Sequence, residues 1–185
     1  DGVYMDGELS VSGDMTGPVS ARMVIRDPSV GAAVMETARG GILRGGLGFT
    51  RCNVAGCLNV SADHLGLKGI NTLEQLAEIK RVPIEIATDA AVLNADDVLC
   101  LQMADYTEAK IVSYVTMNPG HALVKKHIQA GGQAFVLEQG MNGHMITIYD
   151  KDVHTPLLWT HLIPATIKGR AMHNVQNAMF AAALD

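Results

Sequence analysis

The sequence predicts an α/β protein with a mostly parallel sheet, flanked by helices, and a small antiparallel patch. The continuous apolar run at 32–35 is typical of a strand buried on both faces of a sheet, and the mostly apolar segments 52–60 and 90–93 are predicted as further strands. Helical patterns alternate with these runs over the first two-thirds of the chain, which favours parallel strands. Residues 133–137 and 144–149 instead alternate apolar and polar side chains, as antiparallel strands do.

Local patterns in the first half of the chain predict its individual elements. Asp6-Gly7 is a turn pattern and predicts a short hairpin around 4–9. Ser20 is the candidate N-cap of a helix that Asp27-Pro28 ends. Thr72 is predicted to open a strong helix, which Pro83 should kink or interrupt.

The second half continues the alternation of strands and helices. Residues 94–97 are predicted to cap a helix after the strand at 90–93. The next elements are expected as a strand at 110–115, a helix at 121–129, a strand at 157–163 and a helix at 170–184. We predict one domain over 1–185, with 133–165 as a candidate antiparallel subdomain.

Composition excludes several classes of protein. The 185 residues are 48% hydrophobic, enough for a substantial core. A formal charge of -5 argues against a nucleic-acid partner, and 4% aromatic residues argue against a base-stacking surface. No apolar stretch suits a membrane span or a signal peptide, so no membrane partner is expected. Three cysteines without a CxxC pair predict a reduced, cytoplasmic protein.

Polar residues follow three of the predicted strands. Glu36 follows the first run, Asn59 with Asp63-His64 follows the second, and Asn94 with Asp96-Asp97 follows the third. Each has an ordinary structural explanation, as a helix-start charge or a capping residue. Parallel strands nevertheless bring their carboxyl ends to one edge of a sheet, where ligands bind in open α/β folds.

A carboxylate and an imidazole at that edge form a candidate metal site. Oxygen-rich ligation with one histidine suits Mg²⁺ or Mn²⁺ better than structural zinc. We therefore take Glu36 and His64 as candidate ligands. Glycines cluster at 40–48, but no Lys-Ser/Thr follows them, so this segment is not a phosphate-binding P-loop.

Several segments resemble the Mur-ligase-like domain of the cyanophycin synthetases. The resemblance lies in ETARGGILR at 36–44, LNVSADHLGL at 58–67 and VLNADD at 92–97, and in the segments 1–4 and 12–18. HNVQNA at 173–178 is similar to the motif that closes the central domain of Mur ligases generally. The resemblance covers nearly the whole chain.

The resemblance implies an ATP-dependent amide ligase, which phosphorylates a carboxylate so that an amine can attack the acyl phosphate. In this family the amine is arginine and the carboxylate is the β-carboxylate of an aspartate-containing polymer, cyanophycin. The implied cofactors are ATP and Mg²⁺.

By motif match, Glu36 and His64 would bind Mg²⁺, and Asn59 would lie near the phosphates. Lys80 matches the lysine that many Mur ligases carbamylate, although Gly66 stands where the Asp-His motif often has a second aspartate. The residues implied on the adenine side are His173, Asn174 and Asn177.

The chain begins without a methionine, and we expect it to be a piece of a longer protein. It lacks the P-loop segment and C-terminal domain of the family, so we expect it to bind ATP weakly and to be inactive alone. An uncovered strand edge would favour a homo-oligomer. Two alternatives stay open: a Mur-type ligase for another amino acid or peptide, and a non-catalytic scaffold or polymer-binding domain.

Overall fold

The chain opens with a β-hairpin. The computed structural model describes residues 2–62 and 65–185. Strands β1 (Gly2–Met5) and β2 (Glu8–Ser12) pair antiparallel. Asp6 and Gly7 both have positive φ, 50° and 81°, which is the conformation that a two-residue type I′ turn requires. The predicted hairpin is confirmed.

Helix α1 (Pro18–Arg26) begins three residues earlier than the sequence predicts. The prediction that Ser20 is its N-cap is wrong, because Gly17 occupies that position and Pro18 follows at the first helical position. Proline favours this start since its fixed φ already suits a helix. The Ser20 hydroxyl instead donates a hydrogen bond to the Gly17 carbonyl within the first turn, at 2.8 Å.

The predicted strand at 32–35 is also wrong. These residues have no helical or strand assignment, and the Val34 side chain is 99% exposed. A strand needs a neighbour to pair its backbone groups, and within the described residues no strand pairs with this segment. Helix α2 (Arg39–Gly45) begins after three further residues.

Six strands form the larger sheet, in the spatial order of the chain. They are β3 (Cys52–Cys57), β4 (Ala87–Asn94), β5 (Ile111–Thr116), β6 (Ala134–Gly140), β7 (Gly143–Asp150) and β8 (Val153–Trp159). Strands β4, β5 and β6 run parallel, whereas β7 and β8 extend the sheet antiparallel. The predicted α/β class with an antiparallel patch is confirmed, and the patch is continuous with the parallel strands.

Four helices accompany this sheet: α3 (Leu73–Glu85), α4 (Val98–Leu101), α5 (Ala122–Gln129) and α6 (Met172–Leu184). Thr72 caps α3 in a reciprocal capping box with Gln75, as the sequence predicts. Pro83 does not interrupt α3, which runs two residues further to Glu85.

The main core lies between one face of the sheet and α6. It contains side chains from β4 to β7 and from α6. Its members are Val92, Val115, Phe135, Leu137, Ile146, Val175, Met179 and Phe180. Alternate strand residues point to the opposite face. On that face Tyr114 of β5 contacts His127 of α5 edge to face, which places α5 on the other side of the sheet.

The chain divides into two compact units. The N-terminal unit is Asp1–Cys52 and the C-terminal unit is Asn53–Asp185. Across the described residues, no helix combines the length and the apolar character that a membrane span needs.

Candidate functional site

Hydrogen bonds tie the carboxyl ends of β3 and β4 together. The buried Asn94 amide, at the end of β4, donates to the Leu58 carbonyl at 2.6 Å. Asp97 caps α4 by accepting from the backbone amides of Leu99 and Cys100. Its second oxygen accepts from the Val60 amide at 2.7 Å. The two segments that follow these strands are therefore fixed to each other.

The end of β5 joins the same edge through Asp96. Its two carboxylate oxygens accept from the Thr116 hydroxyl and from the Met117 amide, each at 2.6 Å. Protein donors thus occupy both Asp96 and Asp97, so these carboxylates hold the edge together. We call this edge, formed by residues 58–60, 94–97 and 116–118, the rim.

Two of the predicted site residues meet at the rim. The Lys80 ammonium, on the half-buried side of α3, donates to the Asn59 carbonyl at 2.9 Å. The Asn59 side chain itself is exposed. Twenty-one residues separate the pair in sequence, so only the fold brings them together.

Beneath the rim lies a pair of buried thiols. The Cys100 thiol donates to Cys57 Sγ across 3.4 Å. This hydrogen bond lowers the pKa of Cys57 although burial raises it, and the charge of Lys80 adds a smaller lowering. The same bond, together with burial, raises the pKa of Cys100. None of the three cysteines forms a disulfide bond.

The three predicted adenine-side residues lie in the first turns of α6. The Asn174 amide donates to the Ala165 carbonyl at 2.7 Å, and the Asn177 amide lies 3.4 Å from Asn174 Oδ1. The two asparagines are three residues apart and share a helix face. Asn177 and His173 are exposed, so their polar groups are accessible to a ligand.

Glu36 lies in the N-terminal unit, in the segment between α1 and α2. Its side chain is exposed and lines an open cavity of about 840 Å³ within that unit. His64, the other predicted metal ligand, and Asp63 lie outside the described residues. Within 2–62 and 65–185, no three Asp, Glu, His or Cys side chains converge as a metal site.

A polar cluster that the sequence analysis missed lies on β6, β7 and β8. Glu138 Oε1 accepts from the Tyr149 hydroxyl at 2.5 Å, and Oε2 accepts from the Thr147 hydroxyl at 2.8 Å. His154 Nε2 is 3.3 Å from Oε2. Partial burial raises the pKa of Glu138, but these three hydrogen bonds outweigh it and hold the pKa below its usual value. Glu138 is the one acidic residue of β6, whose other residues are apolar or neutral. That pattern is the feature of the sequence that could have indicated the cluster.

The motifs and the sheet define the class of protein. Residues 21–184 match the family model described as Mur ligase middle domain. The chain belongs to that family.

Curated proteins similar to this chain are more specific than the family as a whole. The chain is 49% identical over 189 aligned positions to a cyanophycin synthetase of Trichormus variabilis. It is 48% identical over 189 positions to that of a Nostoc species, and 44% identical over 183 positions to that of a Synechocystis species. Each alignment covers 98% of this chain and 20% of the relative. The chain therefore spans about a fifth of the length of the curated relatives it matches.

Proposed function

We propose that this chain is part of an ATP-dependent amide ligase of the cyanophycin synthetase type. In the proposed reaction ATP transfers its γ-phosphoryl group to the β-carboxylate of an aspartate in the polymer and leaves as ADP, and the arginine amine then attacks the acyl phosphate. An amide forms and inorganic phosphate leaves. The observation that carries the proposal is the hydrogen bond between Lys80 and Asn59 at the rim, in a chain that matches the Mur ligase middle domain.

Asn174 and Asn177 are proposed to bind adenine. An asparagine side chain offers both an acceptor and a donor, which match the amino group and ring nitrogen of adenine. The bond from Asn174 to Ala165 fixes one of these side chains, and Asn177 remains exposed beside it. His173 is proposed to flank the same ligand.

The phosphates are proposed to lie at the rim, near Asn59 and Lys80. The Lys80 ammonium, held by the Asn59 carbonyl, would stabilise negative charge that develops on the transferred phosphoryl group. We assign Lys80 the catalytic role on this basis. Carbamylation of Lys80 would change that role, because it would replace a cation with a carboxylate.

Glu36 and His64 are proposed to bind Mg²⁺. Magnesium in nucleotide sites keeps several waters and uses only one or two carboxylates together with the phosphates. Glu36 suits that pattern, because its exposed carboxylate makes no hydrogen bond or ion pair with another described residue. Bound Mg²⁺ would neutralise charge on the phosphates.

Nucleotide binding is tested directly by NMR titration of this chain with Mg²⁺-ATP. We expect amide shifts to change around 59, 80 and 173–177. Asn177→Ala should weaken binding about tenfold, the effect of one lost hydrogen bond of about 1.4 kcal/mol. Gln176→Ala, an amide on the same helix, is the matched control and should bind as the unaltered chain does.

Two results would contradict the nucleotide site. One is binding that Asn177→Ala and Gln176→Ala change equally. The other is a set of shift changes confined to residues remote from the rim and α6.

The cytoplasm is the proposed location, since three cysteines without a disulfide bond suit a reducing compartment. We also propose a homo-oligomer, because β3 and β8 are the two outer strands of the sheet and outer strands can pair with another copy.

A further inference from the structure

Two buried thiols next to the rim have no part in the proposed reaction. The Sγ atoms of Cys57, at the end of β3, and Cys100, in α4, lie 3.4 Å apart, although 43 residues separate them in sequence. A disulfide bond needs its two sulfur atoms about 2.0 Å apart. An approach of about 1.4 Å would therefore join two segments that are distant along the chain.

The two sulfur atoms differ chemically. The Cys100 thiol donates a hydrogen bond to Cys57 Sγ, and this bond holds the pKa of Cys57 below its usual value, although burial opposes it. The charge of Lys80 and a hydrogen bond from the Asn59 amide add to the lowering. The thiolate is the form of cysteine that attacks an oxidant. Cys57 is therefore the nucleophile of the pair, and Cys100 is the thiol that can attack the oxidised product.

The burial of both sulfurs limits which oxidants can reach them. Cys57 is 5% exposed and Cys100 is 0% exposed, so a second protein or a bulky disulfide has no path to either sulfur. Helix α4, which carries Cys100, has only four residues, and its Val98 side chain is 66% exposed. A local opening of so short an element admits a small oxidant, such as hydrogen peroxide.

We propose that Cys57 and Cys100 are a modification site, which a hydroperoxide converts to an intramolecular disulfide bond. The Cys57 thiolate attacks one oxygen of hydrogen peroxide and the O–O bond breaks. This step leaves a sulfenic acid on Cys57, and the released hydroxide takes up the proton that Cys57 lost.

The second step forms the bond between the sulfurs. The Cys100 sulfur attacks the Cys57 sulfur, the S–O bond breaks, and the departing hydroxide takes the Cys100 proton to form water. The two thiols together lose two electrons, and one peroxide becomes two waters. In a reducing compartment such a disulfide is transient, as the redox-sensing disulfides of cytosolic proteins are.

The disulfide would be detectable at the rim. Cys57 directly precedes Leu58 of the rim, and the Cys100 amide donates to Asp97, which also accepts from the Val60 amide. A bond between the sulfurs therefore adds a covalent link beside the hydrogen bonds that hold the rim together. The proposal is independent of the proposed function, because neither thiol has a role in ligation.

Mass spectrometry of the folded chain after exposure to hydrogen peroxide tests the site. We expect the chain to lose the mass of two hydrogen atoms, and digestion without a reductant to release two peptides joined through residues 57 and 100. Dithiothreitol should restore the original mass, because thiol exchange reverses a disulfide but not a sulfinic acid. Amide NMR shifts at 58–60 and 97–100 should change on oxidation and return on reduction.

Cys52, at the other end of β3, provides an internal comparison. Because strand residues rise about 3.3 Å each, its Cα lies roughly 16 Å from that of Cys57, too far to form a disulfide with it. Cys52 is half-buried and so more exposed than either member of the pair, but burial raises its pKa. We expect peroxide to consume the pair before it modifies Cys52, whereas exposure alone predicts the opposite order.

Two alanine variants assign the sulfurs. Cys100→Ala should prevent the loss of two hydrogens and leave Cys57 with the added mass of one oxygen atom. Cys52→Ala is the matched control and should form the disulfide as the unaltered chain does. A circular dichroism melt verifies that each variant folds, and the joined peptides of the unaltered chain locate the bond without any variant.

Three results would overturn the proposal. One is oxidation of Cys52 while residues 57 and 100 remain thiols. Another is a disulfide that includes Cys52 or that joins two chains. The third is a loss of two hydrogens that Cys100→Ala does not prevent. None of these results depends on ATP, so the modification site and the nucleotide site can fail separately.

Discussion

The two units bury their apolar side chains to very different extents. In the C-terminal unit, eight side chains from four strands and α6 form a core in which none is more than 4% exposed. In the N-terminal unit, Val19 is 78% exposed and Val34 is 99% exposed. Both units contain apolar runs, so the runs alone do not decide what becomes core. What differs is whether another element covers them.

The largest expected difference in stability comes from replacing a valine with alanine in each of the two units. Val115→Ala removes two buried methyl groups from the center of the sheet, where Val115 is 0% exposed, and should destabilise the fold by about 2–3 kcal/mol. Val34→Ala, at an exposed position, should change stability by no more than about 0.5 kcal/mol. Urea unfolding followed by circular dichroism measures both.

Equal losses for the two valine variants would break the comparison. They would mean that Val34 is covered in solution, by a second copy or by other residues of this chain. Repeating the measurement at several protein concentrations distinguishes these, since only self-association depends on concentration.

A second contrast concerns two aspartates, one with a hydrogen bond to a distant residue of the chain and one with hydrogen bonds only to a near neighbour. Asp97 caps α4 and also accepts from Val60, thirty-seven residues away. Asp97→Ala should cost about 2–3 kcal/mol, since it removes a cap and leaves a part-buried amide without its acceptor. Asp27→Ala in the N-terminal unit removes only local bonds to Ser29 and should cost clearly less.

The unfolding midpoints of these two variants provide the measurement, with Asp97→Asn as an intermediate that retains one oxygen. If Asp97→Ala is no worse than Asp27→Ala, the bond to Val60 does not fix the rim. The positions proposed for Asn59 and Lys80 would then lose their support.

Prediction from sequence succeeded for features set by neighbours in the chain and failed for features that depend on distant residues. Thr72 with Gln75, and Asp6 with Gly7, act through neighbours in the chain, and both patterns were predictive. The run at 32–35 failed because a strand depends on a partner that a sequence pattern does not reveal. Strand β8 was expected at 157–163 but lies at Val153–Trp159, because its exposed residues carry no continuous apolar run.

The candidate site was predictable to a smaller degree. Motifs indicated Lys80 and Asn59 separately, but not the bond between them. The Glu138 cluster was missed because its members come from three strands. Long-range hydrogen bonds of this kind are set by register, which spacing along one strand does not specify.

The smallest expected effect is a pH dependence that arises within the C-terminal unit. Partial burial and the hydrogen bond to Glu138 raise the pKa of Tyr149 to about 12, from an ordinary value of 10.0. The folded state therefore holds this proton more tightly than the unfolded state does. The resulting stabilisation is complete below pH 10 and is lost as the pH rises from 10 toward 12.

Tyr149→Phe should thus be less stable than the unaltered chain at pH 9, and the difference should shrink by pH 12. Tyr4→Phe, in the hairpin of the N-terminal unit, is the control. A stability difference for Tyr149→Phe that does not vary with pH would show that its hydroxyl proton is not held by Glu138.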